Sequence, residues 1–296
     1  MKNETKWSRL FDVFNVIFFT LLSVAFLYPV VYIISLSLSE AKAITEGQVF
    51  LYPVGFNVEA YKYVFRDDTT VKSVLFTATF TITGILCSLA TTALTAYPLS
   101  RRSLKGKNFI MNAIVFTMYF SGGMIPTYIT IKSLGLFNTM WSLILPSLVD
   151  TFLLIIMINF MRELPYELEE SAKVEGCSNF GIFLKVYLPL CIPVLATLTI
   201  FYAVQYWNTF MPALLYIQDR DKMALQVKLY TVLSAFSSSI DTTSVAAASD
   251  SAVGAKVIAE NVKSATTVVA VLPILIVYPM LQKYFVKGVA IGAVKG

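Results

Sequence analysis

The side chains of this sequence offer little for bond-making chemistry. There is no histidine, which removes histidine-dependent acid–base catalysis, Ser-His and Cys-His nucleophiles and every histidine metal site. The three cysteines, Cys87, Cys177 and Cys191, form neither a CxxC pair nor a zinc spacing and read as small apolar residues. No GxxxxGK[ST] loop exists, since Gly106-Lys107 lacks both the upstream glycine and the Ser/Thr. Any nucleotide that drives this protein is therefore bound by another subunit. Two acidic features remain: five glutamates gathered at Glu163, Glu167, Glu169, Glu170 and Glu175, and a lone Asp150 within an apolar stretch. The first is chemistry for docking a partner. The second is either a functional intramembrane acid or a helix cap.

The elements that must position these groups follow from composition. Of 296 residues, 57% are hydrophobic and 14% charged, and the mean hydropathy is +0.71. A soluble globular chain carries roughly 25% charged residues, so a soluble enzyme, a disordered chain and a coiled coil are excluded. A spanning helix needs about 20 mostly apolar residues, and six windows qualify: 11–36, 74–97, 109–131, 141–161, 186–216 and 264–282. The first is far longer than the roughly 7–15 residues of a secretory h-region and reads as a retained transmembrane helix. Arg101, Arg102, Lys105 and Lys107 stand in one short loop without an anion, the strongest positive-inside signal in the chain. An even number of spans then places both termini in the cytoplasm, with 37–70 and 217–263 outside. The net charge of +5 belongs to such loops and does not indicate nucleic acid. The expected organisation is an N-terminal helix plus extracellular segment (1–70), a transmembrane core (71–282) with a cytoplasmic loop at 162–185, and a cytoplasmic tail (283–296).

The 162–185 loop is acidic where the topology rule wants cations, and its residues read as a rigid object. Pro165 suits a first helical position, the glutamates after it favour the positive end of a helix dipole, and Gly176 supplies a left-handed stop after about three turns. Ser178 is placed to cap a second helix carrying Phe180, Phe183 and Leu184 towards Pro189. Ser171 and Ala172 leave one face small enough for a partner's backbone. An amphipathic hairpin lying on lipid is the alternative, and five acids beside an anionic leaflet oppose it.

The run Glu170-Ser171-Ala172-Lys173-Val174-Glu175-Gly176, nine residues, then Val186-Tyr187-Leu188-Pro189 resembles the EAA signature of binding-protein-dependent ABC importer permeases. Ser171 replaces an alanine of that pattern and Val186 an isoleucine. The ending from Gly288 to Gly296 is similar to the GxxxGxVKG tail of the carbohydrate branch, which includes the maltose permease MalG. The segments 120–128 and 278–288 resemble LplC/YtcP-type permeases, a subgroup associated with complex or acidic oligosaccharides. The resemblance covers essentially the whole chain. It implies an all-α membrane protein with six transmembrane helices in the MetI-like fold of ABC type I importer permeases. It further implies a multi-pass subunit of the bacterial cytoplasmic membrane that imports oligosaccharides and is not itself an enzyme. No cofactor is bound by such a chain, ATP and Mg being held by two separate cytoplasmic ATPase subunits. A homologous second permease completes a heterodimer, and an extracellular solute-binding protein delivers the sugar.

By the same resemblance, Glu170, Ser171, Ala172, Glu175, Gly176 and Pro189 form the ATPase-coupling element, and the tail ending in Lys295 and Gly296 reaches towards the ATPases unless it is a plain solvated basic end. Sugar sites use aromatic faces and neutral hydrogen-bonding groups. The pathway candidates are therefore Asn112, Tyr119, Tyr128, Asn159, Gln205, Trp207 and Asn208, with Asp150 beside them; for each aromatic, simple packing or lipid contact is the competing reading. Ser121-Gly122-Gly123 is a place where the third span could unwind. Rival functions are a permease of the same family for a non-sugar solute, which the 292–296 ending disfavours, and an ion-coupled secondary transporter. The latter should show several intramembrane charges or an inverted repeat, and the sequence shows neither.

Overall fold

The computed structural model describes residues 6–101, 103–243, 260–276 and 279. In chain order the helices are α1 (Lys6–Ser37), α2 (Ala41–Thr45), α3 (Glu59–Arg66), α4 (Asp68–Ser100), α5 (Lys107–Tyr119), α6 (Met124–Ser133), α7 (Trp141–Ile144), α8 (Thr151–Glu163), α9 (Glu167–Val174), α10 (Asn179–Ile182), α11 (Leu188–Leu190), α12 (Ile192–Trp207), α13 (Met211–Tyr216) and α14 (Leu225–Thr243). A last helix, α15, covers 260–276. No strand occurs among the described residues.

Two of the six predicted spans are single unbroken helices, α1 and α4, and the next three are each bent at a break. The first break falls at the Ser121-Gly122-Gly123 unwinding point that the sequence offers, and in each case the cause is local. The third span folds by 112° between α5 and α6, where Gly123 adopts φ +87°, a conformation that side chains with a Cβ resist. The fourth bends by 52° after Pro146, which sits in a 3₁₀ turn, Leu145–Ser147. The fifth turns by 77° at Cys191, flanked by Pro189 and Pro193. Pro189 has no N–H to give to the carbonyl four residues back, and the preceding turn, Phe183–Tyr187, widens into a π-helix. The described part of the sixth window is α15.

By its internal contacts the chain forms two units. In Met1–Thr70 with Leu229–Leu272, Ala60 and Val64 of α3 pack with Val262 and Ala265 of α15. There the Asn261 side chain donates to the Ser39 carbonyl at 2.7 Å. The other unit, Val71–Lys228 with Pro273–Gly296, holds the main core.

That core is organised along α4. Thr77, Thr81, Gly84, Ser88, Thr92 and Ala96 recur at three- and four-residue spacing on its buried face, the small-residue stripe that lets helices approach closely inside a bilayer. Against it lie Tyr202 and Tyr206 of α12, 0% and 1% exposed. Their hydroxyls meet Thr92 at 2.8 Å and Ser88 at 2.7 Å. The same hydroxyls reach the break in the fourth span. Tyr206 donates to the Ser147 carbonyl at 3.3 Å, and Tyr202 accepts from the Asp150 N–H at 3.3 Å. A bent span leaves backbone groups without helical partners, and in an apolar medium these must be satisfied by side chains. The two tyrosines do this.

Candidate functional site

The 162–185 segment is a helical hairpin, as its residues imply, with corrected dimensions. Its first arm is α9, eight residues and about two turns, shorter than the three expected. Pro165 lies before the N-cap Tyr166 instead of at the first helical position. At the far end Gly176 has φ +79°. The Cys177 N–H donates to the Ala172 carbonyl and the Gly176 N–H to the Lys173 carbonyl, both at 3.0 Å. This pair of bonds is the Schellman stop. Ser178 then caps α10 by accepting from the Gly181 N–H at 3.1 Å. Both arms are thus closed by side-chain or left-handed caps that leave the reversal little freedom.

Burial sorts the residues of the first arm. Glu170, Ser171, Lys173, Glu175 and Gly176 are exposed, and Val174 is 89% exposed. Ala172 is 7% exposed and belongs to the chain's own core. Its small size therefore fits the hairpin against its own helices; the expectation that it faces a partner's backbone is corrected. Pro189 is exposed at the end of the second arm. The outward placement of Val174 and of Phe180, 61% exposed, has no signal in the sequence, because an apolar residue in an apolar chain does not reveal which way it faces.

The glutamate that the chain itself uses is Glu169. It is 5% exposed and paired with Arg101, just beyond the end of α4, and with Lys173 at 2.7 Å. The Arg101 guanidinium lies over the rings of Tyr97 and Tyr187, 4.3 and 4.6 Å from their centroids, and donates to the Tyr97 hydroxyl. Tyr97 in turn donates to the Asn179 carbonyl at 3.0 Å and packs against Phe183. Residues 97 and 101, one helical turn apart, therefore hold the second and first arms respectively, through 179 and 169. The loop whose cations fix topology and the loop rich in acids are one structure, which their separation in sequence conceals.

Asp150 is the N-cap of α8: its carboxylate accepts from the Leu153 N–H at 3.0 Å, where the helix dipole favours an anion. Replacing it with asparagine, which also caps well, is expected to leave the melting temperature of the purified protein nearly unchanged. Alanine should cost about 1 kcal/mol. A steep loss of stability in Asp150→Asn would mean that the charge, not the cap, is what the fold needs.

The other pathway candidates are not brought into one enclosed site. Asn112, Tyr119, Asn159, Gln205 and Asn208 are exposed in this chain, and the Asn208 side chain accepts from Gln226 at 3.5 Å. Tyr128 packs edge-on against Phe137 and beside Tyr216. Trp207 is 8% exposed and lines a cavity of about 290 Å³ with Ile82, Ile85, Ile200, Val204 and Pro273. That lining suits hydrocarbon, not hydroxyls. Lys295 and Gly296 lie outside the described residues, as do the ending at 288–296 and, residue 279 apart, the segment 278–288.

Residues 1–291 match the family described as binding-protein-dependent transport system inner membrane component. The chain is 45% identical over 296 residues to protein LplC of Bacillus subtilis strain 168, covering 99% of this chain and 98% of that protein. It is 41% identical over 289 residues to the polygalacturonan/rhamnogalacturonan transport system permease protein YtcP of the same organism, covering 98% and 99%. Its fold is similar to that of a chain in the crystal structure of a bacterial ABC transporter involved in the import of the acidic polysaccharide alginate. The TM-score is 0.85 at 31% identity, covering 96% of this chain and 100% of the other.

Proposed function

The chain belongs to the family of binding-protein-dependent transport system inner membrane components, and from that premise we propose that it is a permease subunit of an ATP-driven importer of acidic oligosaccharides. It works beside a homologous second permease, two cytoplasmic ATPases carrying ATP and Mg, and an extracellular solute-binding protein. Both of its termini are cytoplasmic. The single observation that carries the mechanism is the doubly capped hairpin at 167–190, which presents Glu170, Val174, Glu175 and Phe180 outward. A rigid projection transmits force where a loop would yield. Glu170 and Glu175 meet basic groups or a helix end on the ATPase, while Val174 and Phe180 enter apolar pockets, the pattern of a buried anchor inside a polar rim.

The acidic class of substrate is supported by what the similar proteins carry, galacturonans for YtcP and alginate for the solved transporter. An uncompensated carboxylate in the path would repel a uronate. Asp150, the one acid deep in a span, already spends its charge on the α8 N-terminus.

The test is uptake into proteoliposomes holding the assembled transporter, with radiolabelled oligogalacturonide or maltotriose delivered by the binding protein. The expected result is uptake of the oligogalacturonide that requires ATP and the binding protein. Uptake of maltotriose alone would restrict the reading to neutral sugars. Uptake driven by a proton gradient without ATP would overturn it.

A further inference from the structure

We propose that Arg101 and Glu169 are a positioning pair that joins the cytoplasmic hairpin to α4, so that movement of the hairpin is delivered to α4 and, through it, to α12. This rests on the reading of the hairpin as the element the ATPases move. The argument begins with the pair's environment. Arg101 and Glu169 side chains are 12% and 6% exposed, and the guanidinium lies over both Tyr97 and Tyr187. An ion pair this deep gains little stability over a well-packed apolar pair. What it does provide is geometric definition, because a planar fork between two rings accepts one orientation. Lys173, one turn along α9, holds the carboxylate from its other side at 2.7 Å.

The two ends of this joint are stiff. Lys107 donates to the carbonyls of Ser100 at 3.4 Å and Arg101 at 3.1 Å, which closes the α4 C-terminus with a cation where the dipole wants one. From there α4 runs back through 33 residues, on the order of 50 Å. Its small-residue face is pinned to Tyr202 and Tyr206, and through them to Ser147 and Asp150 at the break in the fourth span. A push on α9 therefore has a continuous hydrogen-bonded and packed route to that break. The exposed side of α9 stays available to the ATPase, so docking and delivery use different residues of one short helix.

This separation supplies the experiment. In the assembled transporter in proteoliposomes, sugar uptake and ATP hydrolysis are measured together for the wild type, Arg101→Gln, Glu169→Gln, Arg101→Lys and Lys173→Gln. Uptake per ATP hydrolysed should fall about tenfold or more in Arg101→Gln and Glu169→Gln, since each strands a buried charge and frees the joint. Hydrolysis, which depends on the outward face, should persist. Arg101→Lys keeps the charge without the fork and should fall in between. Lys173→Gln, half-exposed, should stay within about twofold. A purely structural role would lower assembly, uptake and hydrolysis in proportion and leave the ratio unmoved, and that result overturns the joint. If the glutamine variants fail to assemble, the same criterion applies to Arg101→Lys, where an unchanged ratio overturns the proposal. A wild-type transporter without ATP-dependent uptake overturns the functional reading and the joint together, whereas wild-type uptake with unmoved ratios overturns the joint alone.

Discussion

Replacing Gly176 with proline abolishes ATP-driven uptake while membrane insertion and ATP hydrolysis continue: this is the expected result, and the reason is backbone geometry. Gly176 sits at φ +79°, and proline is confined near −65°. The substitution also removes the N–H that donates to the Lys173 carbonyl. Both halves of the stop fail, and α9 no longer meets α10 at a fixed angle. An added Cβ at this position meets nothing within 4 Å, so in the asparagine and alanine variants the cost is conformational, and proline adds to it the lost hydrogen bond. Asparagine, tolerant of the left-handed region, should act almost as the wild type. Alanine should cost about 1–2 kcal/mol, and proline about 3 kcal/mol or more locally. Measured as uptake per ATP, the order should be Gly, Asn, Ala, Pro. Normal uptake in Gly176→Pro would show that the hairpin is not what couples the two activities.

The second large effect belongs to Gly84, where the cause is the opposite one. An added Cβ would stand 2.8–2.9 Å from three ring atoms of Tyr206, closer than carbon atoms pack. The ring cannot step aside. It is 1% exposed, stands edge-on to Phe80 with centroids 5.3 Å apart, and its hydroxyl is tied to Ser88 at 2.7 Å. Gly84→Ala should therefore destabilise the protein by about 1–3 kcal/mol, and Gly84→Leu by more, read as a lowered melting temperature in detergent. Adding Tyr206→Leu to Gly84→Ala should cost less than the sum of the two single changes, because they relieve the same contact. A Gly84→Leu variant that melts like the wild type would show that α4 and α12 are not packed as described.

The parts of this architecture that were legible in the sequence are those encoded within one turn of chain. The unwinding point at 121–123, the cap at Asp150 following Pro146, the stop at Gly176 and the cap at Ser178 each rest on a residue whose backbone or side chain acts on its immediate neighbours. Relationships between distant segments were not legible. Hydropathy reports that a window is apolar but not which face is inward, so Ala172 could be assigned outward and the Tyr202 and Tyr206 hydroxyls could not be matched to Thr92 and Ser88. One signal was available and overlooked: a row of small residues from Thr77 to Ala96 at helical spacing is what a close helix contact demands. The Arg101–Glu169 pair left none, since each residue was already explained, one by topology and the other by the dipole of α9. Charge counts treat loops as independent, and folding joined these two.

The fold of 112° at residues 120–123 sets a condition on how the chain can exist in a cell. Helix α5 has 13 residues, roughly 20 Å of rise, too little to cross a hydrocarbon layer of about 30 Å. Ser121, Gly122 and Gly123 are non-helical and exposed in the single chain. Non-helical backbone at membrane depth is tolerated only against protein or water, so lipid cannot be what this face touches in the finished particle. A copy synthesised without its companions presents an unfinished surface to the bilayer, and incompletely folded chains are continuously triaged by cellular chaperones and proteases. Surplus copies should accordingly be short-lived, and the amount of this subunit in the membrane would then be set by how fast it finds its companions and not by how fast it is made.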